Sequence, residues 1–122
     1  MTYVDGFLLP IPKKNLAAYK RIARLACKVW LEHGALAYHE CEGEDLKITP
    51  TLSFVEAAKA KKSETVVFAY IVYKSRAHRD RVNKAVMADK RIQEMGSQKM
   101  PFDCTRIFYG GFRSLVEGAA SS

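Results

Sequence analysis

The spacing of apolar and polar residues changes period several times along this chain, and each change marks an element. From Thr2 to Leu9 the residues are apolar on both alternating faces, interrupted by Asp5 and with Gly6 in the middle. That pattern predicts a buried strand, ended by Pro10 and Pro12. Between Lys13 and His33 the pattern becomes helical. Leu16, Tyr19, Ile22, Ala23, Ala26, Val29, Trp30 and His33 recur at steps of three and four and form one continuous face. Gly34 follows, where a helix stop favours positive φ. From Leu36 to Glu42 the period returns to two. Leu36, Tyr38, Glu40 and Glu42 point one way, and Ala37, His39 and Cys41 the other. This second strand is polar enough to belong at a sheet edge.

The polar stretch from Gly43 to Glu64 is too long for a structureless loop. Ser53-Phe-Val-Glu56 reads as a capping box and predicts a short helix through Ala60. Thr65 to Tyr73, TVVFAYIVY, is the clearest strand, apolar on both faces and rich in β-branched and aromatic residues. Ser75 caps a second main helix that runs to Ala88, with Ala77, Val82, Ala85, Val86 and Met87 on its apolar side. Asp89 caps a further turn through Met95, and Gly96 to Asp103 reads as loop. The last strand is expected over Thr105 to Phe112, where Gly110 and Gly111 permit close backbone approach. The small, polar tail from residue 117 to residue 122 is expected to fray.

The order β-α-β-β-α-β predicts an α+β domain of the ferredoxin-like kind. Two right-handed crossovers place both main helices on one face of a four-stranded antiparallel sheet, with strands one and three in the centre. Those are the two strands apolar on both faces. The helices cover one face, and the other would be an apolar patch exposed to water. A second copy, sheet against sheet, is the simplest cover, so a homodimer is expected. Burying even about 500 Å² of apolar area per subunit contributes a term above about 10 kcal/mol before association costs.

Composition narrows the class. The 122 residues suit one domain over residues 1–122, and 48% apolar with 27% charged residues is a globular balance. No apolar run approaches the ~20 residues of a membrane helix, so no membrane partner is expected. Met1 to Phe7 lacks the basic flank and long apolar core of a signal peptide. Cys27, Cys41 and Cys104 are odd in number and contain no CxxC pair, which points to reduced thiols and a cytoplasmic location. The formal net charge of +7 favours anionic partners in general.

Several segments together resemble the DUF1428, or YbaA-like, family: Tyr3-Val-Asp-Gly-Phe7, Pro12-Lys-Lys-Asn15, Lys28-Val-Trp30, Glu32-His-Gly-Ala-Leu36, Tyr73 to Asp80, Val86-Met-Ala-Asp89, Pro101-Phe-Asp103 and Tyr109-Gly-Gly-Phe112. The resemblance spans nearly the whole chain in motif order. It departs at Lys90, where proline is common, and at Cys104, where a small residue is common. It implies a place in the dimeric α/β-barrel superfamily, hence the same ferredoxin-like dimer. That superfamily includes cofactor-free monooxygenases, haem-degrading enzymes and muconolactone-isomerase-like proteins, and a shared fold carries no single activity across.

Asp5 is the most informative residue. A carboxylate in the middle of an apolar central strand must be paired, hydrogen-bonded or protonated. Its functional reading is a general acid or base in a pocket between sheet and helices, with His33 as second catalytic candidate. The structural alternatives are an internal hydrogen bond or a dimer-interface pair for Asp5 and a helix C-terminal cap for His33. Trp30, Tyr38 and Glu40 are candidates to line the same small-molecule pocket, although a solvated carboxylate on the edge strand is the simpler reading of Glu40. Arg76 and His78, with Arg79 beside them, open the second main helix and offer an anion site, against the plainer reading of a solvated first turn. Tyr70, Tyr73 and Tyr109 read as core or interface aromatics on the two inner strands.

His39 and Cys41 have the spacing of two metal ligands, but no third ligand is evident and no metal is expected. With no Gly-rich phosphate loop, Ser elbow or HExxH, no cofactor is called for. Lys20, Arg21, Arg24 and Lys28 form a basic stripe on helix one, a polyanion or RNA surface in the alternative reading. No aromatic residue interleaves with that stripe, so base stacking is not offered and a solvated face is the simpler reading. The leading expectation is a dimeric protein that binds or transforms a small molecule. Polyanion binding and a purely structural dimer are the alternatives.

Overall fold

The computed structural model describes residues 1–120. The chain folds into a four-stranded antiparallel sheet with helices, in the order β1 (Tyr3–Pro12), α1 (Leu16–Glu32), β2 (Ala37–Glu42), α2 (Phe54–Ala58), β3 (Glu64–Tyr73), α3 (Arg76–Met87), α4 (Lys90–Gly96) and β4 (Phe108–Arg113). The strands lie side by side as β2-β3-β1-β4, so β1 and β3 are central and β2 is an edge. The sheet is not a closed barrel.

The prolines do not end the first strand, which runs through both to Pro12. The reason is local edge exposure. β4 pairs with β1 only from Tyr3 to Leu8, and beyond that point β1 has β3 as its one neighbour. A proline is tolerated where the ladder on one side is missing. The last strand starts later than Thr105, because Asp103 accepts a hydrogen bond from the Thr105 amide and winds Cys104–Arg106 into a 3-10 turn. A similar turn at Lys13–Asn15 leads into α1. Tyr109 therefore lies on an edge strand and not on an inner one.

The predicted caps are in place. Ser53, Ser75 and Asp89 accept from the amides of Val55, His78 and Arg91 and start α2, α3 and α4. Gly34 sits just past α1 at φ 114°, a conformation other residues rarely adopt. After β4 the chain has no further helix or strand as far as Ala120, and the Glu117 carboxylate accepts from the backbone amide and hydroxyl of Thr2. Residues 121–122 of the tail lie outside the described residues.

The register sorts the faces. Tyr3, Asp5, Phe7, Leu9 and Ile11 of β1 stand opposite Tyr73, Ile71, Ala69, Val67 and Thr65 of β3, and Tyr38 and Glu40 of β2 join the same face opposite Ile71 and Ala69. The helices α1, α3 and α4 cover this face. Its core falls into two clusters. One gathers Val29, Ile71, Tyr73, Val82, Val86 and Ile92, and the other gathers Leu9, Ile11, Tyr19 and Val67, with Phe7 packed against both. Arg91 of α4 bonds Glu32 of α1 at 2.7 Å and clamps the two helices at the rim. Asn15 donates to the Pro101 carbonyl at 2.9 Å and holds the 97–103 segment over the start of α1.

The opposite face is barely covered. α2 buries Pro10, Val66 and Ala58 at one corner, and Phe54 approaches Phe68. The remainder presents Val4, Leu8, Tyr70 and Val72, partly exposed, with Phe68, Phe108 and Phe112 at 46%, 53% and 61% exposure.

Candidate functional site

Between the sheet and the helices, where the two core clusters meet, the packing leaves a cavity of about 380 Å³. Asp5, Phe7, Leu9, Ala69 and Ile71 form its floor on the central strands, Tyr38 and Glu40 its side on β2, and Tyr19, Ala26 and Trp30 its roof on α1. Asn83 and Met87 of α3, Met95 of α4, and Met100 and Phe102 of the held segment close it. This size is at the lower end of the range for small-molecule sites, and the wall is apolar apart from a few convergent polar groups, as such sites usually are.

The first polar group is Asp5, buried at 1% exposure. Arg79 of α3 reaches down over the sheet, and its Nη1 donates to Asp5 Oδ1 at 2.7 Å and to the Tyr109 hydroxyl at 2.8 Å. Its Nε donates to Asp80 Oδ1 at 2.8 Å, and its guanidinium lies 5.0 Å from the centre of the Tyr3 ring. Gly111 matters here. A Cβ at that position would run into the Tyr3 ring, so only glycine lets Tyr3 lie under the guanidinium. Asn83, one turn after Arg79, accepts from Trp30 Nε1 at 3.0 Å and from the Tyr73 hydroxyl at 3.1 Å. Burial, and then the Asp5 charge, push the Tyr73 phenol up, so it stays protonated and donates.

The second polar group is Glu40. The Tyr38 hydroxyl donates to its Oε2 at 2.6 Å and the Tyr19 hydroxyl donates to its Oε1. Both phenols are raised well above the ordinary tyrosine range, in each case first by burial and then by the neighbouring Glu40. Asp5 faces Ile71 and Glu40 faces Ala69 from the other side of β3, so the two carboxylates stand two strands and one repeat apart, roughly 12 Å at the backbone.

The structure thus brings Asp5, Trp30, Tyr38 and Glu40 to one cavity and leaves His33, Arg76 and His78 outside it. His33 turns to the N-terminal cap of α4, where Nε2 lies 2.9 Å from Asp89 Oδ2. His78 is held at the start of α3, its Nδ1 accepting from the Lys74 amide at 2.9 Å. Arg76 is exposed in the same turn. Lys20, Arg21, Arg24 and Lys28 are all exposed on the outer side of α1. His39 stacks on Tyr70 on the uncovered sheet face, ring centroids 5.0 Å apart. Among the described residues, no group of three His, Cys, Asp or Glu side chains is placed to hold a metal ion.

Arg79, Asn83 and Tyr19 belong to the site although sequence reasoning did not single them out for it. Their signal was available. Arg79, Val82, Asn83 and Val86 follow a three- and four-residue helical step, and a cation on the covering element is one way to satisfy a buried strand carboxylate.

Fold and cavity together define a class: an α+β domain whose four-stranded antiparallel sheet carries a helix-covered, largely apolar cavity with two carboxylates in its wall. The chain belongs to the family described as "Protein of unknown function (DUF1428)", whose model matches residues 2–104. It is 40% identical over 117 residues to "Uncharacterized protein YbaA" of Escherichia coli strain K12, covering 96% of this chain and 99% of that one. The relative of the same name from Shigella flexneri is similar to the same extent.

Because Asp5 is shielded and Arg79 keeps an outlet to solvent at 12% side-chain exposure, the two halves of the pair are unequal. Arg79→Met strands a buried carboxylate and is expected to cost about 3–5 kcal/mol, whereas Asp5→Asn costs about 1–3 kcal/mol. Urea unfolding of both variants checks the order, and equal losses would show that Asp5 is not effectively buried.

Proposed function

We propose that this chain is a small-molecule-binding protein, acting as a homodimer, with its ligand in the cavity between sheet and helices. The cavity itself carries the reading. It is a preformed space walled by Phe7, Leu9, Ile71, Met87, Met95 and Phe102, with Asp5, Glu40 and Asn83 as the groups that would orient a ligand. Asp5 and Glu40 are the candidates for moving a proton if the bound molecule is transformed. A neutral aromatic probe such as phenethyl alcohol should raise the melting temperature saturably, since anything that binds the folded state alone stabilises it. Ala69→Leu, which fills the cavity floor, should leave the melting temperature unchanged or higher and abolish the probe's effect. A strong loss of stability in Ala69→Leu would mean that the space is already filled.

The dimer is supported by the uncovered sheet face. Phe68, Phe108 and Phe112 stand out to water on it as an apolar patch. A second copy packed over these three rings would cover it. The strand order and the two main helices on one face support a ferredoxin-like arrangement, and two such sheets face to face would make the dimeric α/β barrel. Light scattering at micromolar concentration should give twice the chain mass, reduced to one chain mass by Phe112→Asp. A wild-type monomer would overturn this part of the reading. Cys27, Cys41 and Cys104 form no disulfide, which supports a cytoplasmic setting. No helix is long and apolar enough to cross a membrane among the described residues.

A further inference from the structure

The cavity has the opposite sign to the molecule around it. The chain carries 20 Lys and Arg against 13 Asp and Glu, yet the charged residues in the cavity wall are Asp5 and Glu40, with no lysine, arginine or histidine among the lining residues. The two carboxylates differ. Asp5 is neutralised by Arg79 at 2.7 Å. Glu40 has no lysine or arginine within ion-pair distance among the described residues, and its contacts are the hydroxyls of Tyr19 and Tyr38. Glu40 also lines an outer groove together with Lys20 and Arg24, and neither of these reaches ion-pair distance of it. A half-buried carboxylate held by two phenols still has acceptor capacity on both oxygens.

The hydroxyl ends of Tyr19 and Tyr38 meet that carboxylate, and further aromatic rings pack against these two. Trp30 lies beside Tyr38, ring centroids 6.2 Å apart, and Phe102 stands edge-on to Tyr19 at 5.5 Å. Ring faces attract a desolvated cation, most strongly those of tryptophan and tyrosine, and an N⁺–H to carboxylate bond is about twice as strong as its neutral counterpart. A carboxylate outside ion-pair distance of any cation among the described residues, at one end of an apolar cavity that tryptophan and tyrosine help to line, is an arrangement suited to an ammonium group.

We infer that the cavity takes an organic amine in its protonated form, with the apolar body over Phe7, Ile71 and the methionines and the nitrogen at Glu40, on the cavity side of Tyr38 and Trp30. This rests on the small-molecule reading of the same cavity and specifies its ligand class. An anionic ligand is disfavoured by Glu40, and a neutral one would leave its charge without a partner.

Three probes of nearly the same shape test it: phenethylamine, phenethyl alcohol and phenylacetate, titrated calorimetrically into the full chain at neutral pH. The amine should bind about tenfold more tightly than the alcohol, and the acid more weakly than either. Glu40→Gln, first shown to be folded by circular dichroism, should bring amine and alcohol to equal affinity. Tyr38→Phe keeps the carboxylate and should keep the amine preference, and its loss in that folded variant would overturn the inference, as would equal binding of amine and alcohol to the wild type. In the last case the cavity reading stands, because the alcohol still binds. If none of the three binds the wild type, both fall.

Discussion

A carboxylate in the middle of the central strand must be paired, hydrogen-bonded or protonated; here it is paired, and much of this structure follows from how. Asp5 is almost completely enclosed, and Arg79 is the group that meets it. To reach Asp5, α3 has to cross the sheet with Arg79 pointing inward. Tyr3 has to lie beneath the guanidinium, and Gly111 has to leave room for the Tyr3 ring. The same helix then presents Asn83 one turn later, where it receives hydrogen bonds from Trp30 and Tyr73. A buried ion pair contributes little net stability, because desolvation offsets attraction. Its consequence here is positional: it fixes one helix over one end of the sheet and uses polar groups where close apolar packing would otherwise close the gap.

The cavity is the counterpart of that constraint. Its Asp5 end is crowded with mutually satisfied polar groups. At its Glu40 end, on the edge strand, two phenols hold a carboxylate that has no cation within ion-pair distance among the described residues. Small residues at Ala23, Ala26 and Ala69 keep the space between them open. The flexible side chains of Met87, Met95 and Met100 line its upper side, where adaptable packing accommodates a guest at little cost.

Much of this was legible in the sequence, and the misses have physical causes. Element order, the central place of β1 and β3, the caps at Ser53, Ser75 and Asp89 and the turn at Gly34 follow from periodicity and local chemistry, which act over a few residues. The extent of β1 did not, because whether Pro10 and Pro12 break a strand depends on how far a distant strand runs beside them. The site was half legible. Asp5, Trp30, Tyr38 and Glu40 could be placed by alternation and helical step. His33 could not, because an Asp89 more than fifty residues away captures its ring. Arg79 was seen as part of a solvated helix start, since nothing local shows that its side chain turns back onto the sheet.

The central claim is that the space between sheet and helices is an accessible ligand site. The protein's own methionines report on it. Of the four, Met87, Met95 and Met100 line the cavity and Met1 stands exposed at the chain start. With methyl-labelled methionine, NMR titration with phenethyl alcohol should shift the three cavity methyls along one saturable curve and leave the Met1 methyl unmoved. Four methyls that stay in place, or that drift together without saturating, would contradict it.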